Sequence, residues 1–151
     1  VRKRKARGFT LVELLIVIVI IGILAGSMLL VFGSATDKAR ASKVVSNLRS
    51  LKAAALMCYT DNNAWPATVA SLDAYMDREV ATTGTEETIY SVPNDNTTTP
   101  WYIHAKLQGP DARKGVQERL DEMSTESGLY QDAECSTDYS VGTDVYVRVT
   151  N

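Results

Sequence analysis

The sequence predicts an α+β fold in which one long amino-terminal helix, a spine, packs against a small antiparallel β-sheet. Three observations predict it. Residues 14–32 are nineteen consecutive positions with Ser27 as the one polar side chain. Beyond them, Val44, Leu48, Leu51, Ala55 and Cys58 recur at steps of four and three, which places them along one face of a helix. Further on, residues 101–107 and 145–150 alternate apolar and polar side chains with the period of a half-buried strand.

The chain opens on a basic stretch, residues 1–8, with five cations (Arg2, Lys3, Arg4, Lys5, Arg7) and no acid. The apolar run that follows is long enough to span a bilayer as a helix. At its head stands Glu13, a carboxylate whose burial in lipid costs about 2.5–3.5 kcal/mol on insertion scales. Such a group asks for a partner, which must come from the leader or from another molecule, because the next basic residue is Lys38. A second cluster of five cations (Lys38, Arg40, Lys43, Arg49, Lys52) follows the span and ties the count. The leader's charges are denser beside the membrane, which favours a cytoplasmic amino terminus. A plain signal anchor fits this pattern as well. A cleaved secretory signal fits poorly, since its apolar core is shorter and Ala25-Gly26-Ser27 falls inside the run.

Past the span no loop signal intervenes, so the helix is expected to continue to Thr60, with Lys43, Asn47 and Ser50 facing away from the apolar stripe. Fifty-two helical residues would extend about 78 Å. Asp61-Asn62-Asn63 and Pro66 supply the stop, and Trp65 is placed to cover the helix end. Thr68 is the expected cap of a short helix over residues 69–78, with Val69, Leu72 and Met76 on one side. Ile89, Tyr90 and Val92 suggest a first strand, and residues 94–100 a polar turn. Residues 101–107 form a second strand with Trp101, Ile103, Ala105 and Leu107 inward. Asp111 is the expected cap of a helix carrying Val116, Leu120 and Met123 and ending near Gly128. Val145, Val147 and Val149 make a third strand. There is no internal repeat.

Gly8-Phe9-Thr10-Leu11-Val12-Glu13, between basic leader and apolar run, resembles the start of bacterial type IV pilins and type II secretion pseudopilins. The segment 58–66, Cys-Tyr-Thr-Asp-Asn-Asn-Ala-Trp-Pro, is similar to the end of the spine in major pseudopilins and related pilins. The resemblance implies a pilin-like fold and a division into a leader (1–8), a transmembrane and filament-core half of the spine (9–33) and an exported globular domain (34–151). It implies cleavage between Gly8 and Phe9 by a prepilin peptidase, and methylation of the new amino terminus at Phe9. It also supplies the partner for Glu13, which with Phe9 would act in assembly by pairing with the terminal ammonium of a neighbouring subunit. The implied partners are the chain itself in a helical filament, the peptidase, an inner-membrane assembly platform and membrane lipid before assembly. The precursor would sit in the cytoplasmic (inner) membrane with its amino terminus in the cytoplasm, and the product in a periplasmic or cell-surface filament. The family often has a proline late in the apolar segment, and none is present at Leu29, Leu30 or Val31. Any local unwinding in a filament is therefore expected between Gly22 and Gly33.

Composition narrows the function classes. Removing residues 1–8 from a chain of 16 basic and 18 acidic residues leaves 11 against 18. An acidic body argues against direct nucleic-acid binding. The lone histidine, His104, lies on the polar face of its strand, and no nucleophile elbow, phosphate loop or zinc spacing accompanies it. No catalytic residue and no cofactor are expected. A signal-anchored extracytoplasmic domain with an enzymatic or binding role is the alternative. Some major pseudopilins bind calcium in a carboxy-terminal loop, and Asp132, Glu134, Asp138 and Asp144 form an acidic neighbourhood, but without EF-hand spacing. A solvated acidic turn is the commoner reading, so no metal is expected. Cys58 and Cys135 would both lie outside the cytoplasm, where they either pair in a disulfide or, as Cys58's place in the apolar stripe suggests, stay buried thiols. Asn96-Thr97-Thr98 matches a glycosylation sequon and is assigned no role. Pilus, secretion pseudopilus and DNA-uptake filament remain open as destinations.

Overall fold

A computed structural model describes residues 8–84, 87–93 and 100–150. The leader before Gly8, the Asn96 sequon and most of the expected turn at 94–100 lie outside the described residues. The chain divides into two compact units, Val1–Ala35 and Thr36–Asn151, and each is described by itself. Helix α1 (Leu11–Asn62) contributes to both. In the first unit its side chains from Leu11 to Met28 are exposed. Ser27 returns its hydroxyl to the Leu24 carbonyl at 2.9 Å, which satisfies the one polar group of the apolar run.

In the second unit, α1 buries Ala41, Val44, Val45, Leu48, Leu51, Ala54, Ala55 and Cys58. All five stripe residues expected from the spacing are therefore in the core. Asn47 is also buried, contrary to the expectation that it faces away, and it donates to the Tyr90 hydroxyl at 2.9 Å. A polar residue is admitted there because a tyrosine from another element supplies its partner. The helix ends where the sequence signals. Asn63 takes a left-handed conformation (φ 51°) and its N–H reaches the Tyr59 carbonyl at 2.8 Å.

Four antiparallel strands cover this stripe, in the order β1 (Ile89–Ser91), β2 (Tyr102–Lys106), β4 (Asp144–Arg148), β3 (Leu129–Tyr130). Three strands were expected from the alternation. The additional one, β3, has two residues and pairs Leu129 with Val147 and Tyr130 with Tyr146, so it has too little length for a period to show. The inward face of β2 carries Trp101, Ile103, Ala105 and Leu107, all buried as the alternation predicts. Val145 and Val147 of β4 and Leu129 of β3 join them in one core with the α1 stripe.

Helix α2 (Lys114–Ser127) closes that core with Val116 and Leu120 and leaves Met123 half-buried at the edge. It ends at Gly128, whose φ of 62° suits glycine, and the Gly128 N–H caps the Ser124 carbonyl. Its first turn lies close against α1, since a Cβ on Gly115 would run into the Asp37 carboxylate.

Two capping expectations are corrected. Thr68 precedes a 3-10 helix, Val69–Tyr75, that is shorter than the expected 69–78 helix, and its side chain caps nothing. The turn is held by Ser71, whose N–H and hydroxyl both reach the Thr68 carbonyl. Asp111 does not cap α2 but lies within a 3-10 turn at Gly109–Ala112. There its buried carboxylate takes the Arg40 guanidinium at 2.9 Å, the Thr88 hydroxyl at 3.0 Å and the Thr88 N–H at 3.4 Å. One acid thus ties α1, the segment before β1 and the approach to α2 together. A cap serves only its own helix, whereas burial favours the position where both carboxylate oxygens find donors.

Candidate functional site

The most organised polar group of the first unit lies at the head of α1. Thr10 immediately precedes the helix, and Glu13 is three residues on. The Thr10 N–H and hydroxyl donate to Glu13 Oε2 at 2.8 and 2.7 Å, and the Glu13 N–H donates to Thr10 Oγ1 at 3.2 Å. This is a reciprocal capping box, which satisfies two of the unpaired N–H groups of the helix start. Thr10 was not singled out from the sequence, although the spacing Thr-x-x-Glu before an apolar run is a readable signal for it.

The capping box changes the account of the buried charge. Glu13 does not stand without a partner until a leader cation or a second molecule arrives. Its own chain supplies two donors, both on Oε2, and Oε1 has no partner among the described residues. The carboxylate is thus half-satisfied and oriented. Around it the apolar surface is open: Phe9 is 80% exposed, and an added Cβ at Gly22, Gly26 or Gly33 would meet nothing within 4 Å in the chain. The described part of the helix includes a stretch long and apolar enough to cross a membrane. Gly8, the other residue of the expected cleavage site, is exposed immediately before this helix.

In the second unit, Trp65 stacks on Tyr59 (centroids 4.4 Å apart) and on Trp101 (4.8 Å), forming an aromatic column against the end of α1. His104 has structural partners. With its proton on Nε2 it donates to Asp144 Oδ1 at 2.8 Å and accepts from the Ser91 hydroxyl at 3.1 Å. Tyr146 stacks on its ring at 4.6 Å. The three linked groups come from β1, β2 and the start of β4, so they lace neighbouring strands together across the outer face of the sheet. Partial burial works to raise the Asp144 pKa, but hydrogen bonds from His104 and Thr143 and the nearby Lys106 ammonium outweigh it and hold the carboxyl below its ordinary value.

The acidic segment considered for calcium is organised otherwise. Asp132 accepts the N–H groups of Ser136 (3.0 Å) and Thr137 (2.9 Å), and its pKa is lowered first by the Ser136 bond. Among the described residues no group of three histidine, cysteine or acidic side chains is placed to hold a metal ion.

Both cysteines are buried, as thiols, in this structure. Cys58 Sγ faces Asn62 Nδ2 at 3.6 Å, and Cys135 Sγ faces the Ala133 carbonyl at 4.0 Å. Burial pushes the Cys135 thiol up to about 11, which lowers its thiolate fraction and its reactivity. Alkylation without reductant is expected to add two labels to the denatured chain and to proceed slowly on the folded one. A mass unchanged after denaturing alkylation would show that the pair is oxidised.

A polar, capped start to an exposed apolar helix, followed by a small sheet domain on the distal helix stripe, defines a class of membrane-anchored proteins whose main exposed feature is the helix itself. Known proteins agree on where this chain falls within it. The family described as "Prokaryotic N-terminal methylation motif" matches residues 3–29, and the one described as "PilW, C-terminal" matches residues 35–117. Type II secretion system core protein G of Pectobacterium carotovorum subsp. carotovorum is 32% identical over 130 residues, 77% of this chain and 83% of that protein. Its counterpart in Aeromonas hydrophila is 40% identical over 80 residues, 53% of this chain. The chain spans 56% of the A. hydrophila protein's length and 54% of that of the Klebsiella michiganensis protein. Fimbrial protein EcpC of Eikenella corrodens is 32% identical over 115 residues, 76% of this chain and 71% of that protein. Among solved structures, the major type IV pilin PilA1 of Clostridium difficile shares the fold, with a TM-score of 0.53 at 17% identity over 78% of this chain and 99% of that one. The chain belongs to the family of type IV pilins and type II secretion pseudopilins, whose members are structural subunits.

Proposed function

We propose that the chain is made as a precursor, cut between Gly8 and Phe9 by a prepilin peptidase, methylated at Phe9 and packed helix to helix into a filament. In this reading residues 1–8 are the leader, 9–33 the membrane and filament-core segment, and 34–151 the exported domain. Its action is assembly, not turnover. The amino terminus lies on the cytoplasmic side before assembly, with lipid around the apolar helix and an inner-membrane platform as the assembling partner. The segment 58–66 and the core protein G relatives favour placement in a secretion pseudopilus, and the fimbrial relative favours a related pilus.

The observation that carries the reading is Glu13, held on Oε2 by Thr10 at the head of an apolar helix whose side chains from Leu11 to Met28 are exposed among the described residues. A neighbour's terminal ammonium can approach Oε1 without breaking the cap. Such a pair offsets part of the cost that each charge would carry alone in an apolar surround, which favours the docked state.

The test is coexpression with a prepilin peptidase, followed by intact mass and amino-terminal sequencing. Wild type is expected to begin at methylated Phe9, Gly8→Ala to remain uncut, and Glu13→Ala to be cut but to form no filament. Retention of residues 1–8 in the wild type despite an active peptidase would overturn the reading.

A further inference from the structure

Within the second unit, α1, the carboxy-terminal end of α2, β3 and the end of β4 enclose a groove of about 370 Å³. Its walls carry Arg49 and Lys52 from α1 and Arg148 from β4, with Ser127, Gly128 and Tyr130 between them. Four other cations of the unit meet carboxylates, while Arg78 meets the Ser46 hydroxyl. Arg40 pairs with Asp111, Lys43 with Glu87, Lys114 with Glu118 and Arg119 with Glu122. In the groove, Arg49 donates to the Ser127 hydroxyl at 3.1 Å, Lys52 to the Arg148 carbonyl at 2.7 Å, and Arg148 to the Thr150 carbonyl at 2.6 Å. All three acceptors are neutral. The one carboxylate on the groove wall among the described residues is Glu126, and it pairs with none of the three.

The end of α2 supplies the negative pole of a helix dipole, equivalent to about half a charge. With Glu126 on the wall counted as well, about one and a half of the three positive charges remain uncompensated. They stand in a body that carries 11 basic against 18 acidic residues once residues 1–8 are removed, so its formal charge is negative. Copies packed side by side would repel one another unless such a cationic site met an acidic surface.

We propose that this groove is a docking site for exposed carboxylates of a second copy of this chain, and that it sets how neighbouring domains register. The inference rests on the filament reading above. Charge complementarity names the occupant: the groove is cationic, the chain's own surface has acid in excess, and assembly brings that surface to it at high effective concentration. The contact is heterologous, cationic groove to a different, acidic face, the kind that propagates a helical array instead of closing a dimer.

The experiment uses the full chain, coexpressed with its peptidase and assembly machinery, with a photo-crosslinking side chain at Ser127. Wild type is measured first for cleavage and filaments, and its failure in either would count against the filament reading and not specifically against the groove. With that established, Arg49→Glu combined with Arg148→Glu is expected to be cut normally and to yield about tenfold less filament or worse, the equivalent of one lost charge pair. The milder Arg49→Gln with Arg148→Gln should show an intermediate loss, and covers the case in which reversal disturbs folding. Crosslinks from Ser127 should join two copies through an acid-bearing peptide. Full filament yield from both variants, or a crosslink that leads to a different protein, would overturn the proposal.

Discussion

Replacing Trp101 with alanine is expected to lower the stability of the Thr36–Asn151 unit by about 3–5 kcal/mol, the range for truncating a buried large aromatic residue. The residue is fully buried, packs at the joint of α1 and the sheet and stacks on Trp65, which in turn stacks on Tyr59. Its removal empties the core beside the spine and frees the aromatic column. For a domain of this size the melting temperature should fall by roughly 10–20 °C. Trp101→Phe makes a sharper comparison. Trp101 Nε1 is buried without a hydrogen-bond partner among the described residues, a burden of about 1–3 kcal/mol that phenylalanine does not carry. The phenylalanine variant should therefore lose much less stability than a simple volume scale predicts. Thermal unfolding of the detergent-solubilised chain checks both, and an alanine variant that melts within a few degrees of wild type would mean the column carries little of the stability.

The second large effect is expected at Asp111. Asp111→Ala removes the ion pair to Arg40 and leaves the buried Thr88 hydroxyl and N–H without their acceptor. Breaking a buried pair costs up to about 3–5 kcal/mol, but the Arg40 side chain is 40% exposed and can return to water. A loss of about 2–3 kcal/mol is the expected result. Asp111→Asn keeps an acceptor for Thr88 and should cost less. Hydrogen exchange separates this role from a helix cap: protection should fall around Thr88 and Arg40 as well as in the first turn of α2. Loss confined to α2 would restore the capping role that the sequence suggests.

Those two residues mark where local patterns stop being informative. The stripe from Val44 to Cys58 was legible because helix period is a property of one segment, and the alternation in β2 and β4 was legible for the same reason. The helix stop at Asn63 and the cap at Gly128 depend on left-handed backbone that asparagine and glycine tolerate, so they too were readable. The two residues of β3 hold no period. Asn47 and Asp111 look like surface or capping residues until Tyr90, Thr88 and Arg40 arrive from elsewhere in the chain. Thr10 is the opposite case, since its capping box with Glu13 is written in four consecutive residues.

By itself, the sequence determined the features that follow from short-range chemistry: a basic leader, an apolar helix with one acid at its head, a continuing amphipathic spine, and strands of a size to cover it. These identify the family because its amino-terminal motif is itself a run of consecutive residues, matched at 3–29. Only the tertiary structure decided which polar groups are buried, that both cysteines are buried, that His104 laces strands together, and that Arg49, Lys52 and Arg148 share one groove. The physical reason is that charge compensation and hydrogen-bond satisfaction are pairwise, and the partners come from separate segments, 13 positions apart for Ser91 and His104 and 96 for Lys52 and Arg148, where no local period records them.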